Sequence, residues 1–333
     1  MRASAVVCSL VAVGLLLISC SPPTRAPEGG AEAAVREYPP DRPYPGSDFI
    51  PVDGYRIHLL RWMPAADVSV RGRVLLVHGF GASVYGWRLL GPALAERGYL
   101  TVAADYPPFG YSTPSEAERE GTVAGTPGNR ARLLWDLVDS EDDRLGATGS
   151  DGWILIGHSL GGRIAAWMAG TRPSRTAGLV LIAPAILGDV SGPMAGPILQ
   201  GWLRANLDPT LKDGARIRSI LAQAYGRNPT DEETRGYWAP LLRPHEAESL
   251  LAWSRHAAEP VGPPLSAIVT PTLILWGTAD RVVKPEGARL AGQIRASRFV
   301  DIPGGSHCLM ETQFDPTWAA VSEFLDRLQA EGH

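Results

Sequence analysis

Ser159 stands in the run Gly157-His158-Ser159-Leu160-Gly161, directly after the apolar residues 153–156 and directly before a helical stretch. Glycines on both sides permit a sharp strand-to-helix turn, and a serine on that turn lifts its hydroxyl clear of a sheet, beside a helix N-terminus. A neutral hydroxyl is a weak nucleophile, so the chemistry needs a base and a group that orients the base. Asp280 follows the apolar run Leu273-Ile274-Leu275-Trp276 and the turn Gly277-Thr278-Ala279, while His307 follows Ile302-Pro303-Gly304-Gly305-Ser306. Ser159, Asp280 and His307 therefore occur in the order nucleophile, acid, base, each just beyond an expected strand, an order unlike those of unrelated serine proteases. Asp105, after Val102-Ala103-Ala104, competes for the acid's role. Asp280 is preferred because it lies one strand before His307 and has the glycine turn at its strand end. His158 adjoins the nucleophile, but neighbouring residues on a tight turn point in different directions, so a structural role is expected of it.

Attack on a carbonyl also requires donors for the oxyanion. The run Val74-Leu75-Leu76-Val77 leads into His78-Gly79-Phe80-Gly81-Ala82-Ser83. The backbone N–H of Phe80 and that of Leu160, the residue after the nucleophile, are the expected pair. Losing one such donor typically removes about 2.7–4 kcal/mol of transition-state stabilisation. His78 is expected to tie this loop down. Together these groups make an acyl-transfer site that needs neither metal nor organic cofactor.

Those residues must be positioned by a scaffold. Apolar runs suited to strands fall at residues 56–62, 73–77, 100–104, 153–156, 179–182, 272–276 and 298–302, several of them continuous enough for burial on both faces. Helical spacings fall between them at residues 85–97, 130–138, 160–170, 285–294 and 316–328. The alternation predicts an α/β fold with a doubly wound, mostly parallel sheet, whose ligands bind at the carboxyl ends of the strands.

The motifs His78-Gly79-Phe80-Gly81, Asp105 through Gly110 to Ser112, the serine turn, Trp276-Gly277 through Asp280, and Gly305-Ser306-His307 cover nearly everything from residue 50 onward. On these motifs the chain resembles the α/β-hydrolase superfamily, in its cap-bearing group with an H-G-x-G loop. The resemblance implies a helical cap at residues 187–264, inserted between the strands near 179–182 and 272–276. The core would occupy 48–186 and 265–333. A serine rather than an aspartate at the turn implies acyl-enzyme chemistry on a carbonyl, usually an ester. One departure is Pro107-Pro108-Phe109-Gly110-Tyr111-Ser112, where many relatives carry an arginine-bearing loop. In the cap, Trp202, Tyr237 and Trp238 are candidate pocket walls, and His245 and His256 match no zinc spacing. Carbon–carbon bond hydrolysis next to a ketone and acyl transfer to an alcohol are open on the same three residues. A lipid-anchored binding module is the reading from another class, and the complete Ser159, Asp280, His307 set argues against it.

The remaining residues carry an address. Met1-Arg2 precedes an apolar run at 5–18, shorter than the roughly 20 residues a membrane-spanning helix needs. Leu17-Ile18-Ser19-Cys20 resembles the bacterial lipobox, which implies a signal peptide at 1–19, a lipidated Cys20 and attachment to the cell envelope. Ser21 in place of aspartate favours the outer membrane of a Gram-negative cell. Residues 20–47, rich in Pro, Ala, Gly and Glu, read as an extended tether without helix. Cys308 is then the one remaining thiol, so no intramolecular disulfide is available. Across all 333 residues, 45% are hydrophobic and 20% charged, with net charge −4 and no basic tract, which excludes a disordered chain and a nucleic-acid footprint. The partner implied is a small ester or acyl substrate; no protein partner is.

Overall fold

The computed structural model describes residues 25–332 other than 122, 147–151, 187–196, 255–263 and 284–286. The expected signal peptide and Cys20 lie outside the described residues. Eight strands form one sheet: β1 Asp48–Val52, β2 Tyr55–Trp62, β3 Gly72–Val77, β4 Tyr99–Ala104, β5 Trp153–His158, β6 Thr176–Ile182, β7 Thr272–Gly277 and β8 Ser297–Ile302. Their order is β1-β2-β4-β3-β5-β6-β7-β8. The β1 and β2 strands form an antiparallel hairpin and β2 runs antiparallel to β4, while every other pairing is parallel.

The helices are α1 Gly30–Glu37, α2 Leu90–Glu96, α3 Glu116–Arg119, α4 Pro127–Leu145, α5 Leu160–Thr171, α6 Pro197–Lys212, α7 Gly214–Tyr225, α8 Asp231–Trp238, α9 Glu246–Ser254, α10 Gly287–Gln293, α11 Leu309–Thr312 and α12 Phe314–Glu331. Alternate residues of the central strands enter two cores. Leu75, Val77, Leu155, Leu179, Leu181 and Ile274 pack on one face with α4 and α5. Val74, Leu76, Ile154, Ile156, Val180 and Leu273 pack on the other with α2 and α12. Two covered faces explain why these strands read as unbroken apolar runs.

Two expectations need correction. The β1 strand is absent from the sequence-based list because Asp48 and Pro51 interrupt its apolar pattern. It is an edge strand bonded only to β2, where a proline removes no needed donor. Its turn, Asp53-Gly54, has both residues at positive φ, 47° and 78°, the conformation that Asp-Gly hairpins favour.

The second correction concerns the segment expected as an extended tether. Residues 30–37 contain no proline and form α1, which stops before Pro39-Pro40. The described part of the segment is docked, with Tyr38 and Tyr44 buried. The Tyr44 ring lies 5.4 Å from Tyr38, 5.9 Å from Tyr111 and 6.0 Å from Tyr85, and Tyr111 Oη donates to the Tyr38 carbonyl at 3.1 Å. Arg235 Nε on α8 donates to Glu37 at 2.5 Å, and the Glu28 N–H donates to Asp231 at 3.0 Å. Burial of two aromatic rings contributes about 1.5–3 kcal/mol each toward the entropic cost of ordering the arm.

Candidate active site

The β5 strand ends at His158 and α5 begins at Leu160, so Ser159 makes the whole turn. Its φ of 53° and ψ of −119° lie outside the regions that side-chain-bearing residues favour. The turn is held by the Ser159 N–H on the Ile182 carbonyl at 3.0 Å, and by Gly162 and Ala185 N–H groups on the Ser159 carbonyl, each at 3.0 Å. A Cβ on Gly157 would collide with the Gly161 carbonyl, and one on Gly161 with the Val77 carbonyl, so both positions require glycine. Serine at a helix N-cap ordinarily accepts a backbone N–H through its side chain. Ser159 makes no such bond, which leaves its hydroxyl uncommitted to capping.

Asp280 and His307 are brought together from the turns after β7 and β8. His307 Nδ1 donates to Asp280 Oδ2 at 2.8 Å, and Oδ1 accepts the N–H groups of Val282 at 2.7 Å and Val283 at 3.0 Å. The carboxylate is wholly buried. His307 is also fixed through its main chain: its N–H donates to the Ala224 carbonyl on α7 at 3.0 Å, and its carbonyl accepts His158 Nε2–H at 3.0 Å. Burial, then the neighbouring His307, pushes the His158 imidazole well below its ordinary range. A neutral ring with its proton on Nε2 follows, and His158 ties the strand end carrying Ser159 to the loop carrying His307. That is the structural role expected of it.

The loop after β3 lies against the same turn: a Cβ on Gly79 would stand 3.0 Å from Ser159 Cβ. His78 holds this loop, with Nδ1–H on the Gly79 carbonyl at 2.9 Å and its ring stacked on Tyr106 at 4.4 Å. Leu160 is the first residue of α5, so its N–H has no intrahelical acceptor. Asp105, the competing acid, serves elsewhere. It accepts His58 Nδ1–H at 2.7 Å, Val84 N–H at 2.7 Å and Tyr111 N–H at 2.7 Å, with no exposure to solvent.

A family model described as alpha/beta hydrolase fold matches residues 72–314. The chain belongs to the alpha/beta hydrolase fold family. It is 28% identical over 267 residues to the 2-hydroxy-6-oxo-6-phenylhexa-2,4-dienoate hydrolase of Burkholderia cepacia, covering 77% of this chain and 86% of the relative. It is 26% identical over 260 residues to the pimeloyl-[acyl-carrier protein] methyl ester esterase of Edwardsiella ictaluri, covering 76% of this chain and 93% of the relative. Among solved structures, a bacterial membrane phospholipase A shares the fold with a TM-score of 0.66 at 22% identity, over 96% of this chain and 94% of that one.

In this alpha/beta hydrolase, the helices between β6 and β7 touch the site's loops at several points. Two of the candidate pocket walls on those helices are anchored in the core. Tyr237 and Trp238 are buried, with Tyr237 Oη donating to Glu311 Oε1 at 2.5 Å and Trp238 Nε1 donating to the Leu211 carbonyl at 2.7 Å. Their polar ends are satisfied within the core, as buried Tyr and Trp require. Trp202 lies on α6, and its side chain is outside the described residues.

The aromatics that do meet the Phe80 loop are Trp253 on α9, at 5.3 Å between ring centroids, and Phe109, at 5.0 Å. The Phe109 signal was present in the departure Pro107-Pro108-Phe109, and Trp253 follows Leu250 at helical spacing. Arg243 fastens the same helical region to the loop after β4 by donating to the carbonyls of Ser112 at 3.0 Å and Pro108 at 3.3 Å. A cleft of about 600 Å³ opens between α7 and the acid and base turns, lined by Gln223, Asn228, Arg281 and Ser306 among others.

Proposed function

We propose that this protein is a serine hydrolase that cleaves carboxylic esters through an acyl-enzyme. His307, oriented by Asp280, takes the Ser159 proton as Ser159 attacks the carbonyl, and the Phe80 and Leu160 N–H groups receive the oxyanion. The protonated His307 then gives its proton to the departing alcohol. Water, activated by the same imidazole, releases the acid. The observation that carries this reading is the left-handed Ser159 turn joined by His158 to the His307 and Asp280 pair. Serine at the turn, and a methyl ester esterase among the relatives, favour esters.

Residues 187–264 serve as the cap in this reading, with Trp253 and Phe109 as apolar walls beside Phe80 and with Trp202 as a further candidate. Cys20 anchors the exported protein to the cell envelope through lipid. Replacing Cys20 by Ser is expected to release the protein from membranes and abolish incorporation of labelled palmitate; unchanged membrane retention contradicts the anchor.

The test of the activity is hydrolysis of p-nitrophenyl esters from acetate to palmitate by the chain starting at Ser21, with Ser159→Ala as control. A chain-length optimum lost in the variant is expected. A second reading, carbon–carbon bond hydrolysis, is favoured by the dienoate hydrolase relative. Turnover of a vinylogous diketone with inert esters would establish it in place of the first.

A further inference from the structure

At the junction of the core with the helices between β6 and β7, the molecule buries a carboxylate that the proposed chemistry does not use. Glu311 on α11 accepts Tyr225 Oη–H at 2.6 Å and Tyr237 Oη–H at 2.5 Å, and it is ion-paired with Arg88. A buried ionic cluster of this kind stabilises a fold no better than apolar packing of the same volume, so its placement asks for another role. Its partners come from three elements: the 3-10 turn Val84–Trp87 ahead of Arg88, α7 and α8.

Two residues of α7 address the loop of the base. The Ala224 carbonyl accepts the N–H groups of His307 at 3.0 Å and Cys308 at 3.3 Å. Tyr225, its neighbour, reaches Glu311, whose own N–H closes back on the Cys308 carbonyl at 3.0 Å. Gly226 then ends the helix at φ 64°, where a Cβ would stand 3.1 Å from Ser306 Cβ. The last turn of α7 thus holds the segment from Ser306 to Glu311 at both ends.

We propose that Glu311 is a positioning residue which, through Tyr225 and Tyr237, sets the register of α7 against His307, so that the base is in place only while these helices are seated. This rests on the reading of His307 as the base.

The experiment compares Tyr225→Phe, Tyr237→Phe, their double variant, Glu311→Gln and Glu311→Ala by ester kinetics, by the rate of Ser159 phosphonylation with a fluorophosphonate, and by thermal unfolding. Tyr225→Phe is expected to lower kcat and the phosphonylation rate about tenfold with KM nearly unchanged. The double variant is expected to lose less than the product of the single losses, because both hydroxyls act through one carboxylate. Glu311→Gln, which keeps an acceptor, is expected to recover part of the loss of Glu311→Ala. If Glu311→Ala does not fold, the tyrosine variants carry the test, since they retain the rings. Folded tyrosine variants with lower melting temperatures but wild-type kcat and phosphonylation rate would overturn the proposal. Wild-type turnover by Ser159→Ala would instead overturn the reading of the site on which it rests.

Discussion

Two histidine and aspartate pairs of nearly equal geometry sit in this molecule. His307 Nδ1 meets Asp280 Oδ2 at 2.8 Å, and His58 Nδ1 meets Asp105 Oδ2 at 2.7 Å. The second pair even has a serine: Ser47 Oγ lies 2.9 Å from His58 Nε2. By connectivity alone, Ser47, His58 and Asp105 would pass as a catalytic set. Their surroundings differ. Both aspartates are wholly buried, but the His58 side chain is fully buried where that of His307 keeps 6% exposure, and Ser47 Oγ already accepts the Tyr44 N–H at 3.0 Å within the docked arm. Gly110 is required there because any Cβ would strike the Asp105 carboxylate, so the loop wraps that acid completely. Ser159 instead stands on a left-handed turn with no capping bond. The histidine–aspartate hydrogen bond is common to both regions, and what separates them is the turn that presents the serine.

The largest expected effect follows from that contrast. Ser159→Ala should remove about 10⁶ from kcat while leaving the fold intact, whereas Ser47→Ala should leave kcat within about twofold. Steady-state hydrolysis by purified, folded variants checks both. The acids should divide in the same way. Asp280→Asn is expected to lower kcat about 10⁴-fold with little change in unfolding free energy. Asp105→Asn should cost about 3–5 kcal/mol in denaturant unfolding, because it leaves a buried partner uncompensated, while the folded fraction keeps its turnover.

The pH dependence of stability sharpens the comparison further. Burial alone would raise the Asp105 carboxyl, but the His58 and His78 imidazoles and the Tyr111 N–H outweigh it and hold the group below the usual carboxylate range. Its contribution is therefore complete above the unfolded value near 3.9 and is lost as pH falls through the folded one. His158 and His78 are also depressed, chiefly by burial. Their contribution is complete above the unfolded imidazole value near 6.5, and each then removes up to about 1.4 kcal/mol per pH unit on acidification. Unfolding titrations between pH 7 and 5 should show this slope, reduced in His158→Gln; an unchanged slope in that variant contradicts the neutral His158 bridge. The smallest effect is expected at the walls: Trp253→Ala should shift the ester chain-length optimum with kcat on the preferred ester within about tenfold, which the p-nitrophenyl series reads directly.

Most of the sheet, and the placement of Ser159, Asp280 and His307 on the turns after their strands, were legible because the signals are local. Continuous apolar runs such as Val74-Leu75-Leu76-Val77 mark strands covered on both faces, and the glycines around Ser159 mark a turn that only they fit. The edge strand β1 was hidden by Pro51, although Asp53-Gly54 signalled its hairpin. The α1 helix was hidden by prolines that flank a short helical stretch without entering it. The anchoring of Tyr237 and Trp238 was hidden for a different reason. Tyr237 and Trp238 look like any cap aromatic until Glu311 and the Leu211 carbonyl claim their polar ends, and such partners, 74 and 27 residues away in the chain, leave no local pattern.

The central claim is that the serine on the β5 to α5 turn, and not Ser47 of the docked arm, is the nucleophile. Treatment of the folded protein with a fluorophosphonate, followed by intact mass measurement and peptide mapping, tests it most directly. A single adduct on Ser159 that is absent from Ser159→Ala is the expected result. An adduct on Ser47, or undiminished labelling of Ser159→Ala, would contradict it.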